Sequence, residues 1–213
     1  MSRRRRRVVI WRHGQTAWNA QARFQGQEDV ELDDVGVAQA HASAALLAAL
    51  EPDAIVSSDL QRAVATAAEL SRLTDLDPAY DPGLRESYLG GWQGLTRAEV
   101  DAAYPGEAAA WLRGEDIRRG GGETNVEVAG RAVAAIEQAL EKLPDRATLV
   151  VVTHGGAARV AIGSLIGLPP EHWRALGALS NCCWSVLGEQ RGGWALLEHN
   201  AGTLPQPVLG DDR

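Results

Sequence analysis

Two histidines in this chain each follow a short apolar run that is typical of a buried strand. The run at residues 8–11 leads into Arg12 and His13, and the run at residues 148–153 leads into His154. Ligands bind at the carboxyl ends of strands in open α/β sheets, so adjacent parallel strands would bring both histidines together. Imidazole can act as a nucleophile at neutral pH, and guanidinium holds phosphate through paired hydrogen bonds. The pattern indicates a pocket that binds a phosphoryl group and takes it onto a histidine nitrogen.

A third strand end supplies a further cation. The short apolar run at residues 54–56 stops at two serines and an aspartate, and Arg62 follows about one turn into the next predicted helix. We expect a bound phosphate to meet Arg12, Arg62 and His154, with backbone N–H groups at helix N-termini adding attraction.

The elements that position these residues are predicted from hydrophobic periodicity and turn residues. Their order predicts an α/β fold: a three-layer sandwich with a mostly parallel central sheet, helices on both faces, and a small cap over the strand ends at about residues 82–122. We interpret residues 1–213 as a single domain. The predicted helices are 33–50, about 60–72, 96–104, 107–113, 123–142 and 157–166, and the later strands are 182–187 and 194–198, as a hairpin or two edge strands.

Local signals give expectations for how these elements begin and end. Asp33 or Asp34 and then Asp59 are suited to cap the first two long helices, because a carboxylate can accept the free N–H groups there. Residues 78–94 are predicted to be loop-like and residues 120–122 a flexible break. The segment after Gly202 is predicted to be irregular.

Composition limits the classes of partner. The 213 residues carry a net charge of −7 in spite of the arginine run at residues 3–7, which we interpret as a solvated tail. An acidic surface argues against nucleic acid, and the lack of an apolar run of about 18 residues argues against a membrane partner. Cys182 and Cys183 are adjacent and imply no disulfide framework, so a cytoplasmic protein is expected. A homodimer is left open.

Four blocks of sequence, in order, resemble the signatures of the histidine phosphatase superfamily, which has the phosphoglycerate-mutase-like fold. They are residues 12–19 (RHGQTAWN), 56–63 (VSSDLQRA), 84–96 (LRESYLGGWQGLT) and 153–156 (THGG). The resemblance covers most of the chain. It implies a phosphomonoesterase that works through a phosphohistidine intermediate on a small-molecule phosphate ester.

The resemblance also implies a role for individual residues. His13 corresponds to the phosphorylated histidine, Glu86 to the proton donor, and Arg12, Arg62 and His154 to phosphate-binding residues. Contacts to phosphate or substrate are implied for Asn19, Gln25, Gly26 and Gly155. Neither a metal nor a cofactor is expected, since arginine and protonated histidine would supply the positive charge. Glu86 must be in its acid form when the substrate arrives.

Alternative functions share these residues. A phosphoglycerate mutase returns the phosphoryl group to its substrate, and mutases carry a longer insertion with more basic residues; here residues 99–110 are acidic and alanine-rich, which favours a phosphatase. A non-catalytic module that binds phosphorylated ligands is disfavoured because nucleophile and acid are both present. Residues 84–96 are most similar to those of actinobacterial phosphatases of glucosyl-3-phosphoglycerate, so this compound or another sugar or glycerate phosphate is the expected substrate.

Overall fold

The computed structural model describes residues 5–202, and a six-stranded sheet lies at the centre of this part of the chain. Across the sheet the strand order is β3-β2-β4-β1-β5-β6. The first four of these strands are parallel, while β5 runs antiparallel to both β1 and β6. The predicted, mostly parallel sheet is confirmed. The strands are β1 (Arg7–Arg12), β2 (Ala54–Ser57), β3 (Ala79–Tyr80), β4 (Thr148–Thr153), β5 (Trp184–Gln190) and β6 (Gly193–Ala201).

The register of the central strands brings the two histidines to one edge of the sheet. Arg12 pairs with Thr153 at the ends of β1 and β4, and the His13 amide continues the ladder to the Thr153 carbonyl at 3.0 Å. The end of β2 reaches the same level, because the Ser58 amide donates to the Val152 carbonyl at 2.9 Å. Three strand ends therefore converge where the sequence predicts the site.

Helices cover both faces of the sheet, as predicted. On one face α2 and α3 pack against Val9, Trp11 and Val150, and on the other α6 and α7 pack against Ile10 and Val151. The central strands β1 and β4 are buried on both faces, which explains their continuous apolar character. The α-helices are α1 (Ala17–Ala20), α2 (Asp34–Ala48), α3 (Gln61–Thr74), α4 (Arg97–Ala103), α5 (Pro105–Leu112), α6 (Asn125–Glu141) and α7 (Gly155–Leu165).

One predicted helix cap is confirmed and another is wrong. Asp33 caps α2 by accepting the Gly36 amide at 2.8 Å. Asp59 does not cap α3, whose N-cap residue is Leu60 and makes no side-chain hydrogen bond to the helix. Instead, Asp59 accepts from Arg85 Nε at 2.7 Å and Nη2 at 2.5 Å. A bidentate bond to guanidinium is stronger than a bond to one amide, so the tertiary contact prevails.

Residues 82–122, the segment predicted to be the cap, contain α4, α5 and three short 3₁₀ helices. The segment has its own small core, in which the rings of Trp92 and Trp111 pack edge to face with their centroids 5.8 Å apart. Both rings also contact Phe24. Residues 120–122 are part of this packing and not a flexible break. A Cβ on Gly120, where φ is +58°, would lie 2.5 Å from the Leu89 carbonyl oxygen, so only glycine fits this close approach.

The two ends of the chain are only partly described. Of the N-terminal arginines, Arg6 pairs with Glu189 at 3.0 Å and Arg7 lies within β1, so the predicted solvated tail does not include them. Arg3 and Arg4, and the segment after Gly202 predicted to be irregular, lie outside the described residues. Within residues 5–202 no helix is long and apolar enough to cross a membrane.

Candidate active site

The ring of His13 is held in one tautomer by its own loop. Its Nδ1 lies 2.6 Å from the Gly14 carbonyl oxygen, which can only accept a hydrogen bond, so the proton is on Nδ1. Nε2 then carries the lone pair. The Gly14 amide donates to Thr66 Oγ1 at 3.1 Å, which ties the turn after β1 to α3. This geometry presents a nucleophilic nitrogen at the end of a rigid strand.

His154 lies beside His13, with ring centroids 5.1 Å apart. Its Nδ1 accepts from Arg62 Nε at 3.1 Å, and its Nε2 lies 2.9 Å from Ser58 Oγ. Because guanidinium only donates, Nδ1 carries no proton and His154 is neutral, with its proton on Nε2. The expectation that a protonated histidine supplies positive charge is therefore wrong for this resting arrangement. The arginines supply it.

Arg12 and Arg62 bring positive charge into the interior. Arg62 is fully buried, and its Nη1 and Nη2 donate to the carbonyls of Glu28 and Gly26 at 2.7 and 2.8 Å. Arg12 is 2% exposed and donates to the Leu179 carbonyl at 2.6 Å. Buried cations are costly to desolvate, and an anionic ligand beside them would offset that cost. The carbonyl of Gly26, a residue predicted to contact phosphate or substrate, thus holds Arg62 in place.

Burial and positive charge act in the same direction on both histidines. Burial, then the charges of Arg62 and Arg12, lower the pKa of His13 well below its usual value. Burial, Arg62 and His13 do the same to the pKa of His154. Both rings are consequently neutral at and somewhat below neutral pH, which is the state that a histidine nucleophile requires.

This shift predicts a pH dependence of stability. Below about pH 6.5 the unfolded chain protonates its histidines, while His13 and His154 stay neutral in the folded chain, so stability decreases as the pH falls. We expect the free energy of unfolding to drop between pH 7 and 5 by up to about 1.4 kcal/mol per pH unit for each ring. Urea unfolding across this range measures it.

The control compares slopes and not absolute stabilities, because carboxylates also titrate in this range. The double variant His13→Asn/His154→Asn should have a shallower slope than the parent chain. Equal slopes for the parent and the double variant would contradict the prediction.

Asn19 and Gln25 lie together beside the turn that follows His13. Asn19 Oδ1 accepts from the Thr16 amide at 3.1 Å and from Asn181 Nδ2 at 3.2 Å, while Gln25 Oε1 accepts from Thr16 Oγ1 at 3.0 Å. The buried Nδ2 of Asn19 has no hydrogen-bond partner among residues 5–202. A buried donor without a partner is costly, and an anion bound at this point would satisfy it.

Glu86 is buried and its carboxylate accepts three backbone amides. Oε1 accepts from Ser87 at 2.7 Å and Ala157 at 2.9 Å, and Oε2 accepts from Gly156 at 2.9 Å. Ala157 and Gly156 belong to the first turn of α7. The same helix begins with Gly155 directly after His154. Three amide donors thus fix the orientation of the Glu86 carboxyl group.

Sequence reasoning missed several residues that orient the predicted ones. Asn181, which precedes β5, donates to the His13 carbonyl at 3.1 Å as well as to Asn19. Ser58 Oγ forms a hydrogen bond with His154 Nε2. Its position at the end of a strand was the only feature of the sequence that could have identified it. Asn181 carries no such signal, because it reaches the site only through the tertiary fold.

The fold and this constellation define a family. The sequence profile of the histidine phosphatase superfamily (branch 1) matches residues 8–202, and the chain belongs to this superfamily. Among its relatives, glucosyl-3-phosphoglycerate phosphatase from Mycolicibacterium vanbaalenii is 42% identical over 188 residues, covering 85% of this chain and 84% of that protein. A probable phosphoglycerate mutase from Yersinia pestis is 35% identical over 192 residues, with coverages of 88% and 86%.

Solved structures agree with the sequence relatives. The structure of mycobacterial glucosyl-3-phosphoglycerate phosphatase complexed with VO3 superposes with a TM-score of 0.88 at 40% identity, covering 92% of this chain and all of that one. The predicted family, the fold class and the enzyme class, a phosphoric monoester hydrolase, are confirmed by these comparisons.

Proposed function

We propose that this protein hydrolyses phosphate monoesters in two steps through a phosphohistidine at His13. The observation that carries the proposal is the neutral His13 ring, with Nε2 unprotonated, in a pocket whose fixed charges are Arg12 and Arg62. A phosphate ester is the ligand whose charge complements this pocket.

In the first step, His13 Nε2 attacks phosphorus in line with the ester oxygen. The N–P bond forms as the P–O bond to the alcohol breaks, and negative charge stays on the three equatorial oxygens. Arg12 and Arg62 stabilise that charge, as positioned donors do in phosphoryl transfer. The Nε2–H of His154, which bonds Ser58 Oγ in the free enzyme, transfers its hydrogen bond to a phosphoryl oxygen. Asn19 and Gln25, with the loop at Gly26 and the helix start at Gly155, complete the phosphate site.

Glu86 gives a proton to the departing alkoxide and, in the second step, takes one from the water that attacks phosphohistidine. Phosphate leaves and His13 returns to its starting state. Three backbone amides hold the carboxyl group in one position through both steps. The one carboxyl group can therefore serve both steps.

The substrate we propose is glucosyl-3-phosphoglycerate or a related sugar or glycerate phosphate. Support comes from the relatives named for that phosphatase activity, which match the chain over most of its length. We propose that the protein acts in the cytoplasm on this small molecule, with no nucleic acid or membrane partner and with a homodimer as the one assembly left open. We also propose that residues 1–213 act as one domain.

Phosphate release from a panel of esters tests the function. The panel contains glucosyl-3-phosphoglycerate, 3-phosphoglycerate and p-nitrophenyl phosphate. Turnover of an alkyl ester with stoichiometric phosphate is expected. Binding without turnover of any ester would favour the alternative of a non-catalytic module.

The same assay tests a prediction about the effect of a chelator on activity. Since Arg12 and Arg62 supply fixed positive charge at the phosphate, we expect activity to persist after dialysis against EDTA. The measurement is the initial rate before and after chelation, with and without added Mg²⁺. Complete loss that Mg²⁺ restores would overturn the metal-independent mechanism.

A phosphoglycerate mutase is the second candidate, and the Yersinia pestis relative is the observation that favours it. Conversion of 3-phosphoglycerate to 2-phosphoglycerate without release of phosphate would identify a mutase. The acidic, alanine-rich residues 99–110 support the phosphatase instead, because a mutase must hold a second acidic group.

A further inference from the structure

The loop that carries Glu86 has no regular structure of its own. It lies between the 3₁₀ helices Pro82–Leu84 and Gly90–Trp92. Positional error is costly for a catalytic group, since a displacement of about 1 Å can slow a reaction by about 10²-fold. The contacts that fix the main chain of this loop therefore bear on how well Glu86 can work.

Arg131 of α6 binds this main chain at three carbonyl groups. Its Nη1 donates to the carbonyls of Gly83 and Arg85 at 2.8 and 2.6 Å, and its Nη2 donates to that of Glu86 at 2.8 Å. Two further bonds go to Glu123, from Nε at 2.8 Å and Nη2 at 2.7 Å. All five N–H bonds of the guanidinium are thus used, which lysine could not reproduce.

Glu123 extends the network to the other side of Glu86. Its Oε2 also accepts the Tyr88 amide at 2.8 Å. The side chains of Glu123 and Arg131 are 24% and 22% exposed, so the contact is largely shielded from water. Partial burial raises the pKa of Glu123, but the hydrogen bonds from Arg131 and Tyr88 outweigh it and lower the pKa. The pair stays charged at neutral pH.

We infer that Arg131, oriented by Glu123, is a positioning residue for the carboxyl group of Glu86. The pair fixes the main chain on both sides of this residue, while the first turn of α7 fixes its side chain. The inference rests on the proposed function, in which Glu86 moves the proton. Arg131 itself touches neither the phosphate nor the ester in this mechanism; it acts through Glu86.

The experiment compares two esters in single-turnover formation of phosphohistidine. Arg131→Gln should slow transfer from the alkyl ester that the panel turns over fastest by about 10- to 100-fold. Transfer from p-nitrophenyl phosphate, whose leaving group needs no proton, should change by less than about 3-fold. Arg131→Lys, which keeps the charge but not the fork, should fall between the parent and Arg131→Gln. Arg72→Gln, which removes an exposed pair with Glu69, is the matched control and should change neither rate.

A merely structural role predicts other results. In a Glu86→Gln background, a positioning residue has nothing left to position, so adding Arg131→Gln should cause no further loss for the alkyl ester. Equal loss with both esters, or a further loss in that background, would overturn the inference. If urea titration shows that Arg131→Gln does not fold, the same comparison is made with Arg131→Lys. Failure of the proposed function is distinct, since the parent chain would then form no phosphohistidine.

Discussion

Replacement of His13 by alanine is expected to lower phosphate release from every ester by a factor on the order of 10⁶, the scale of loss when a covalent nucleophile is removed. The remaining arginines still bind phosphate, so affinity for inorganic phosphate should persist. The fold should persist too. His13 directly follows the last residue of β1, and its Nδ1 bonds the carbonyl of the neighbouring Gly14.

Rapid-quench labelling measures the step directly. With a ³²P-labelled ester, the parent chain should yield a phosphoprotein that is labile in acid and stable in base, as a phosphorylated imidazole is. His13→Ala should yield none, while His41→Ala, which alters an exposed histidine, should label like the parent. Substantial labelling or turnover in His13→Ala would show that another residue is the nucleophile.

Replacement of Glu86 by glutamine is expected to slow phosphoryl transfer from alkyl esters by about 10²- to 10⁴-fold, the usual contribution of a general acid. Transfer from p-nitrophenyl phosphate should change far less. The glutamine is not a silent replacement here. Its amide oxygen can accept from Ser87 and Ala157, but its NH₂ group then faces the Gly156 amide, where two donors oppose each other.

The measurement must therefore separate proton transfer from altered packing. Single-turnover rates for the two esters isolate the first step, since loss of the water-activating base would slow the second step for both. Equal damage to the first step for both esters would show that Glu86 is not the acid. Glu99→Gln and Glu107→Gln test two other carboxylates of residues 82–122. Glu99 accepts the Thr96 amide at the start of α4, and Glu107 accepts the Gly120 amide.

The parts of the site that lie at strand ends could be predicted from sequence. His13 and His154 each follow an apolar run, and the expectation that their strands are adjacent and parallel agrees with the pairing of β1 with β4. Arg62 was found because its helix starts just beyond β2. Periodicity and strand ends are local signals, and they identified the residues that depend on them.

The remainder depends on contacts between distant segments. Asn181 reaches His13 across 168 residues of sequence, and Arg131 reaches the Glu86 carbonyl across 45. Asp59 has a good local reason to cap α3, and only the position of Arg85 in the folded chain overrides it. The protonation state of His154 likewise follows from its hydrogen-bond partners and not from residue type.

The strand order has a consequence for how the protein is made. The strand that presents His13 is flanked by β4 and β5, and its first residue, Arg7, contacts Thr148 from 141 residues further along the chain. Strands that are far apart in sequence pair slowly, because a long loop must close before the contact between them can stabilise the sheet. During synthesis, β1 leaves the ribosome before β4 and β5, so it cannot pair with either until they have been made. Nascent chains that end before residue 148 therefore lack the assembled phosphate pocket, and catalysis begins only after β4 and β5 have left the ribosome.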